Sequence, residues 1–169
     1  MADVPLVITY SDGEGALGGV GVAIWAPGEK PQGGYMKTPQ VMRKLWSRQK
    51  QGAQEDHDIY EIEALGPVLV LATWPHLLKD RLWIHFIDNS NALTAMVKGG
   101  SSVHSADVLA AWVSSMVAEL GVIPWYDRVD TKSNPVDGLS RGRLEGPWTL
   151  VKLVFPKDLR SKMEAYLDE

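Results

Sequence analysis

Apolar positions along this chain come first in short runs and later at helical spacing. Pro5 to Tyr10 is apolar and β-branched, which predicts a strand. The stretch SDGEGALGG follows, with four glycines in nine residues, and predicts a turn. GVGVAIWAP is small and apolar and predicts a second strand, so the two strands form a hairpin. Gly33 to Lys37 reads as a third strand, ended by Pro39. Residues 40 to 58 are polar and basic around Leu45 and Trp46, and pattern alone leaves strand extension and loop both open.

From Asp58 to Leu78 the spacing changes. Ile59, Ile62, Leu65 or Gly66, Leu69, and Ala72 or Thr73 recur every three or four residues, which predicts a helix capped by Asp56 or Asp58. Pro67 conflicts with this, because inside a helix it removes a hydrogen bond and crowds the Glu63 carbonyl. Either the helix kinks there or it starts later. RLWIHFI predicts a buried strand, and Asn89 to Lys98 a helix stopped at Gly99-Gly100. Ser105 to Leu120 reads as a helix with serine as its cap and Gly121 as its stop. IPWYDRV is a strand. Asn134 to Ser140 reads as a helix start with Asn134 as cap and Pro135 in the first position. The tail holds a strand-like TLVKLVF, then Pro156, then a short amphipathic helix over Lys157–Leu167. The order β-β-β-α-β-α-α-β-α predicts an α/β domain, with helices packed on a mixed sheet.

Composition narrows the class. The 169 residues suit one domain, and 45% hydrophobic content is enough for an ordinary core. Cysteine is absent, which excludes disulfides, zinc-thiolate sites and thiol nucleophiles. The N-terminus shows no secretory signal and no apolar run spans a bilayer, so the expectation is an intracellular protein that is not secreted and contacts no membrane. Net charge is −4, against the usual basic character of nucleic-acid binders. The distribution is uneven, however. Six basic residues (Lys30, Lys37, Arg43, Lys44, Arg48, Lys50) and one acid lie between Glu29 and Lys50, and Arg128, Lys132, Arg141 and Arg143 form a second group. Acids are dense from Glu55 to Glu63.

Three acids sit where a strand ends or has just ended: Asp12, Asp88 and Asp137. Each also has an ordinary local use. Asp12-Gly13 is a turn signal, Asp88-Asn89-Ser90 a helix cap, and Asp137 a first-turn helix acid. A fourth, Glu63, lies on the predicted helix, where Glu61 competes with it. Ligands of open sheets gather beyond strand ends. Carboxylates collected there would repel one another unless cations bound them, and Mg²⁺ suits such hard oxygen donors.

Four segments together resemble a known family. Tyr10-Ser11-Asp12-Gly13 with its glycine hairpin, IYEIEALGPVLVLATW, HFIDNSNAL and VDTKSNPVDGLSRG resemble successive signatures of type 1 ribonuclease H domains, above all those of retroelement reverse transcriptases. The resemblance spans roughly Leu6 to Gly142, and the last segment is its most specific part. It implies a ribonuclease H-like fold. The sheet would have five strands, three antiparallel and then parallel ones, with helices on both faces. Residues 1–146 would form the domain and 147–169 an extension packed on it.

The implied activity is endonucleolytic cleavage of the RNA strand of an RNA–DNA hybrid by two Mg²⁺ ions, with Mn²⁺ as substitute, leaving 3′-hydroxyl and 5′-phosphate ends. Asp12, Glu63, Asp88 and Asp137 match the family's catalytic, metal-binding carboxylates. The retroelement pattern favours Glu63 over Glu61. Gly13, Glu14, Ser90 and Asn91 are the candidates for 2′-hydroxyl contacts. Arg43, Lys44 and Arg48 are those for the DNA backbone, and Trp46 the one for stacking. A reverse transcriptase domain in a parent polyprotein is the implied partner. Three features depart from the family. Pro67 follows Glu63 by one turn, and Pro124 to Asp137 lacks the histidine many members carry there. The basic protrusion between helices is also missing. Two rival readings remain: a 3′–5′ exonuclease of related fold, suggested by the Asp-x-Glu spacing of Asp12 and Glu14, and a non-catalytic nucleic-acid-binding scaffold.

Overall fold

The computed structural model describes residues 5–49 and 58–165. Six strands form one sheet: β1 (Leu6–Gly13), β2 (Gly19–Trp25), β3 (Gln32–Lys37), β4 (Leu82–Ile87), β5 (Ile123–Arg128) and β6 (Thr149–Leu150). Their order across the sheet is β5-β4-β1-β2-β3-β6. β1, β2 and β3 pair antiparallel, while β4 pairs parallel with both β1 and β5. The sheet is therefore mixed α/β as expected, but it has six strands rather than five. The sixth comes from the tail, where Thr149 and Leu150 pair parallel with Gln32 and Gly33 of β3. The rest of TLVKLVF is not strand: Val151 N still donates to the Gly33 carbonyl of β3 at 2.9 Å, but no ladder continues beyond it and Pro156 leads into a helix.

Seven helices accompany the strands among the described residues: α1 (Gln40–Gln49), α2 (Ile59–Thr73), α3 (Pro75–Leu78), α4 (Ser90–Lys98), α5 (His104–Leu120), α6 (Asp137–Ser140) and α7 (Lys157–Ala165). The segment left open by pattern contains α1, which sinks Met42, Leu45 and Trp46 into the core at helical spacing. α2 runs straight through Pro67, starting at Ile59. Every residue from Glu61 to Leu71 is buried, so packing all round the helix outweighs the one backbone bond that Pro67 cannot make. It stops at Trp74, and α3 starts with Pro75 in its first turn, so the predicted single helix to Leu78 is two. α5 begins at His104 behind Val103, and Ser105 is not its cap. α6 is only four residues long and starts at Asp137, two residues after the predicted first position at Pro135.

The main core lies between one sheet face and α1, α2, α4, α5 and α7. Val7, Val20, Val22, Ile24, Trp83 and Ile87 from the strands meet Ile62, Leu65, Leu69, Leu109 and Trp112 from the helices. Leu153, Leu159 and Met163 of the tail join this same core. α2 lies close on β1 because Gly66 faces Ser11, and a Cβ at Gly66 would fall 2.0 Å from Ser11 Oγ. The other sheet face carries α6 and Trp148, where Val136, Leu139 and Trp148 pack on Ala23 and the rings of Tyr10, Trp25 and Tyr35. α6 reaches this face through Gly21, where a Cβ would fall 2.6 Å from Ser140 N. Among the described residues no helix is long and apolar enough to cross a membrane.

Candidate active site

The parallel pairing of β1, β4 and β5 brings their C-terminal ends to one edge of the sheet. Asp12 is the penultimate residue of β1, and Asp88 directly follows β4. Asp137 opens α6, and Glu63 lies in the second turn of α2. All four line one cavity of about 370 Å³, together with Gly13, Ile59, Asn89, Thr131 and Arg141. Two helical residues two apart point about 200° away from each other, so α2 directs only one of its two candidate acids to the sheet edge. Glu63 is that one. Glu61 is buried on another side of the helix and accepts a hydrogen bond from Ser105 Oγ at 2.6 Å.

The two inner acids are nearly sealed from water. Asp12 is 4% exposed and Glu63 likewise 4%. The Gly13 amide sits between them, 3.0 Å from Asp12 Oδ1 and 3.0 Å from Glu63 Oε1. Burial raises the Asp12 carboxyl to about pH 6, and the nearby Asp137 adds to the rise. Burial and then the Asp12 charge raise Glu63 well above the usual carboxylate range. Glu63 Oε2 is buried and finds no protein donor. Its contact with Asp12 joins two carboxylates, and becomes a hydrogen bond only when a proton is present. The geometry thus calls for a proton or a cation between these groups.

The outer two acids have protein partners. Asp88 Oδ2 accepts from Thr131 Oγ1 at 2.7 Å. Asp137 Oδ1 lies 3.6 Å from Arg141 Nε, an ion pair too long for a hydrogen bond, and is otherwise unbonded. Among the described residues, no group of three or more His, Cys, Asp or Glu side chains is arranged to hold a metal ion.

A buried asparagine ties the site together. Asn134 Nδ2 donates to the Ser11 carbonyl at 3.1 Å, and its Oδ1 accepts from Val136 N at 3.2 Å. Asn134 is therefore no helix cap. It clasps the loop bearing Asp137 to the strand bearing Asp12. The Ser140 hydroxyl bridges the same elements, 2.7 Å from the Asp137 carbonyl and 3.3 Å from Asp12 Oδ2.

The other expected contacts fare unequally. Asn89 lines the cavity and caps α4 by accepting from Ala92 N, which leaves Ser90 and Asn91 exposed at the first turn. Glu14 turns away, accepting from Leu17 N at 3.0 Å within its own loop, so the Asp-x-Glu spacing supplies no second acid here. Arg43 spends its fork on Asp58 and on the Gly15 carbonyl, which holds the glycine loop rather than a ligand. Lys44 is exposed. The side chain of Arg48 lies outside the described residues, as do Lys50, Asp56 and His57. Trp46 does not stack on a ligand: it is fully buried in the core, because α1 turns it inward beside Met42.

No histidine among the described residues lines the cavity. His85 lies on the opposite, core side of β4. It is sealed between Thr9 Oγ1 at 2.6 Å and Ser11 Oγ at 2.8 Å, and burial lowers its pKa to about 3. Pattern reasoning missed Thr131 altogether and misread Asn134. The spacing of Asn134 three residues ahead of Asp137 was the available signal. No family model matches the chain, and no curated protein matches it.

Proposed function

We propose that the chain hydrolyses the RNA strand of RNA–DNA hybrids, using divalent cations held by Asp12, Glu63, Asp88 and Asp137. One observation carries this reading: acids 12, 63, 88 and 137, from four separate elements, converge on one cavity. Two of them are buried at a cost that a cation would offset. The donor set is entirely oxygen, which suits Mg²⁺, with Mn²⁺ as substitute. Asp88 and Asp137 would leave Thr131 and Arg141 to complete the site, a rotamer change open to side chains that are partly exposed at the cavity. The cations, when bound, supply an activated water and a charge that stabilises the leaving oxygen.

The chain's own part is to aim and hold. The Gly13 amide fixes Asp12 and Glu63 relative to each other. The Asn134 clasp sets the spacing of Asp12 and Asp137. Products would carry 3′-hydroxyl and 5′-phosphate ends. RNA would be told from DNA at its 2′-hydroxyls in the wide minor groove, by Gly13 on the cavity wall and by Ser90 and Asn91, exposed next to the cavity-lining Asn89. Glu14 offers nothing to the exonuclease reading in this arrangement. The resemblance to retroelement domains makes a reverse transcriptase domain the partner of choice.

The test is cleavage of a labelled RNA–DNA hybrid in Mg²⁺ or Mn²⁺ beside Asp88→Asn, with single-stranded DNA as control. Loss of cutting in the variant is expected. Equal cutting by Asp88→Asn would refute the site, and attack on single-stranded DNA ends would point to an exonuclease.

A further inference from the structure

Arg141 is the one basic residue on the cavity wall among the described residues. Its guanidinium is half exposed and lies one helical turn from Asp137, at 3.6 Å. Such an i,i+4 surface pair contributes only a few tenths of a kcal/mol, about 0.3–0.5. It places the cation without immobilising it. The fork of Arg43 is fully engaged by Asp58 and the Gly15 carbonyl, and Arg128 Nε sits on the Asp88 carbonyl. Among the described residues no hydrogen bond of the Arg141 guanidinium competes with an incoming anion, and a planar guanidinium grips a phosphate in bidentate fashion.

We propose that Arg141 serves two anions in turn. It is the counter-ion of Asp137, yields that carboxylate to a divalent cation, and then grips an RNA-strand phosphate at the mouth of the cavity. This rests on the hybrid-cleavage reading of the same site. No proton moves in the exchange, because a guanidinium stays charged at every working pH. Arg141 therefore neutralises charge on the phosphate and acts as neither acid nor base. It supplies a cation on a wall that carries no histidine among the described residues.

Arg141→Gln and Arg141→Lys test this with two readouts of opposite sign. Free Mn²⁺ measured by electron paramagnetic resonance, without nucleic acid, should show the Gln variant binding Mn²⁺ about twofold more tightly, as its competitor for Asp137 is gone. Hybrid affinity, measured in an Asp88→Asn background that stops turnover, should fall about tenfold or more. With Asp88 intact, kcat/KM should fall about ten- to a hundredfold. The Lys variant should recover part of both losses, keeping charge but not the fork. Arg141 is exposed, so thermal stability should stay within about 2 °C of wild type. Weaker binding of both Mn²⁺ and hybrid, with a lowered Tm, would assign Arg141 a merely structural role and overturn the proposal. Unchanged hybrid affinity and kcat/KM would overturn it too. If the wild type binds no Mn²⁺ and cuts no hybrid, the parent reading of the site fails. If it does both and Arg141→Gln matches it, only the role of Arg141 fails.

Discussion

Asp12→Asn should make the protein more stable at pH 8 while ending the proposed hybrid cleavage. The carboxyl is 4% exposed and its pKa is raised from 3.8 to about 6, chiefly by burial. The folded state thus holds this proton more tightly than the unfolded chain does. Its contribution is fully present below pH 3.8 and is lost as the pH rises through about 6. At pH 8 the folded protein carries an ionised, buried carboxylate at a cost on the order of 3 kcal/mol, since one pKa unit is worth about 1.4 kcal/mol. Asparagine removes the charge and keeps the shape. Its Oδ1 still accepts from the Gly13 amide. The charge also raises Glu63, so its removal relieves that neighbour in the same direction. Urea or thermal unfolding in EDTA should show Asp12→Asn gaining about 2–3 kcal/mol at pH 8, roughly 5–10 °C in Tm, and less than about 1 kcal/mol at pH 4. Mg²⁺ should stabilise the wild type at pH 8 far more than the variant. A gain that is absent at pH 8, or equal at both pH values, would refute the account of a desolvated carboxylate.

The two glutamates of α2 should separate cleanly. Glu63→Gln is expected to lose Mn²⁺ affinity and hybrid cleavage at least tenfold with no loss of folding stability. Glu61→Ala should cost about 1–3 kcal/mol in a urea melt, stranding Ser105 Oγ, yet leave Mn²⁺ affinity unchanged. The reverse pattern would exchange their roles. Gly66→Ala should destabilise by about 1–3 kcal/mol or more, because the new Cβ would fall 2.0 Å from Ser11 Oγ and 2.4 Å from Ser11 Cβ. Adding Ser11→Ala should restore only part of that, since the closer atom leaves and the Ser11 Cβ stays. Full restoration, measured by chemical denaturation, would show that α2 shifts easily on β1.

Local pattern carried most of the element order here. Strands β2 to β5 and helices α4 and α5 lie within a residue or two of where alternation and helical spacing place them, while β1 runs three residues past its predicted end at Tyr10, to Gly13. The reason is that each is bounded by residues with strong backbone preferences, such as Gly99 and Gly121 in left-handed conformations at the ends of α4 and α5. The acids at strand ends were legible for the same reason, because a strand that ends fixes where its last side chains sit.

What pattern could not decide depended on which surface an element meets. Glu61 and Glu63 are chemically alike, and only the docking of α2 on β1 through Gly66 sends Glu63 to the sheet edge and Glu61 to Ser105. The burial of Trp46 likewise follows from where α1 lands, although its neighbours in sequence are basic and polar. Pro67 is tolerated because the whole of α2 is enclosed, and a local penalty yields to packing on every side. Asn134 gave a cap signal, but Ser11 of β1, 123 residues away along the chain, claimed its side chain instead. Thr131 found Asp88, 43 residues away along the chain, in the same way. Residue order and local preference set most of the strands and helices and where the acids stand along them. The tertiary structure decided which faces those segments turn toward one another, because that choice minimises exposed apolar area and unpaired polar atoms over the whole molecule at once.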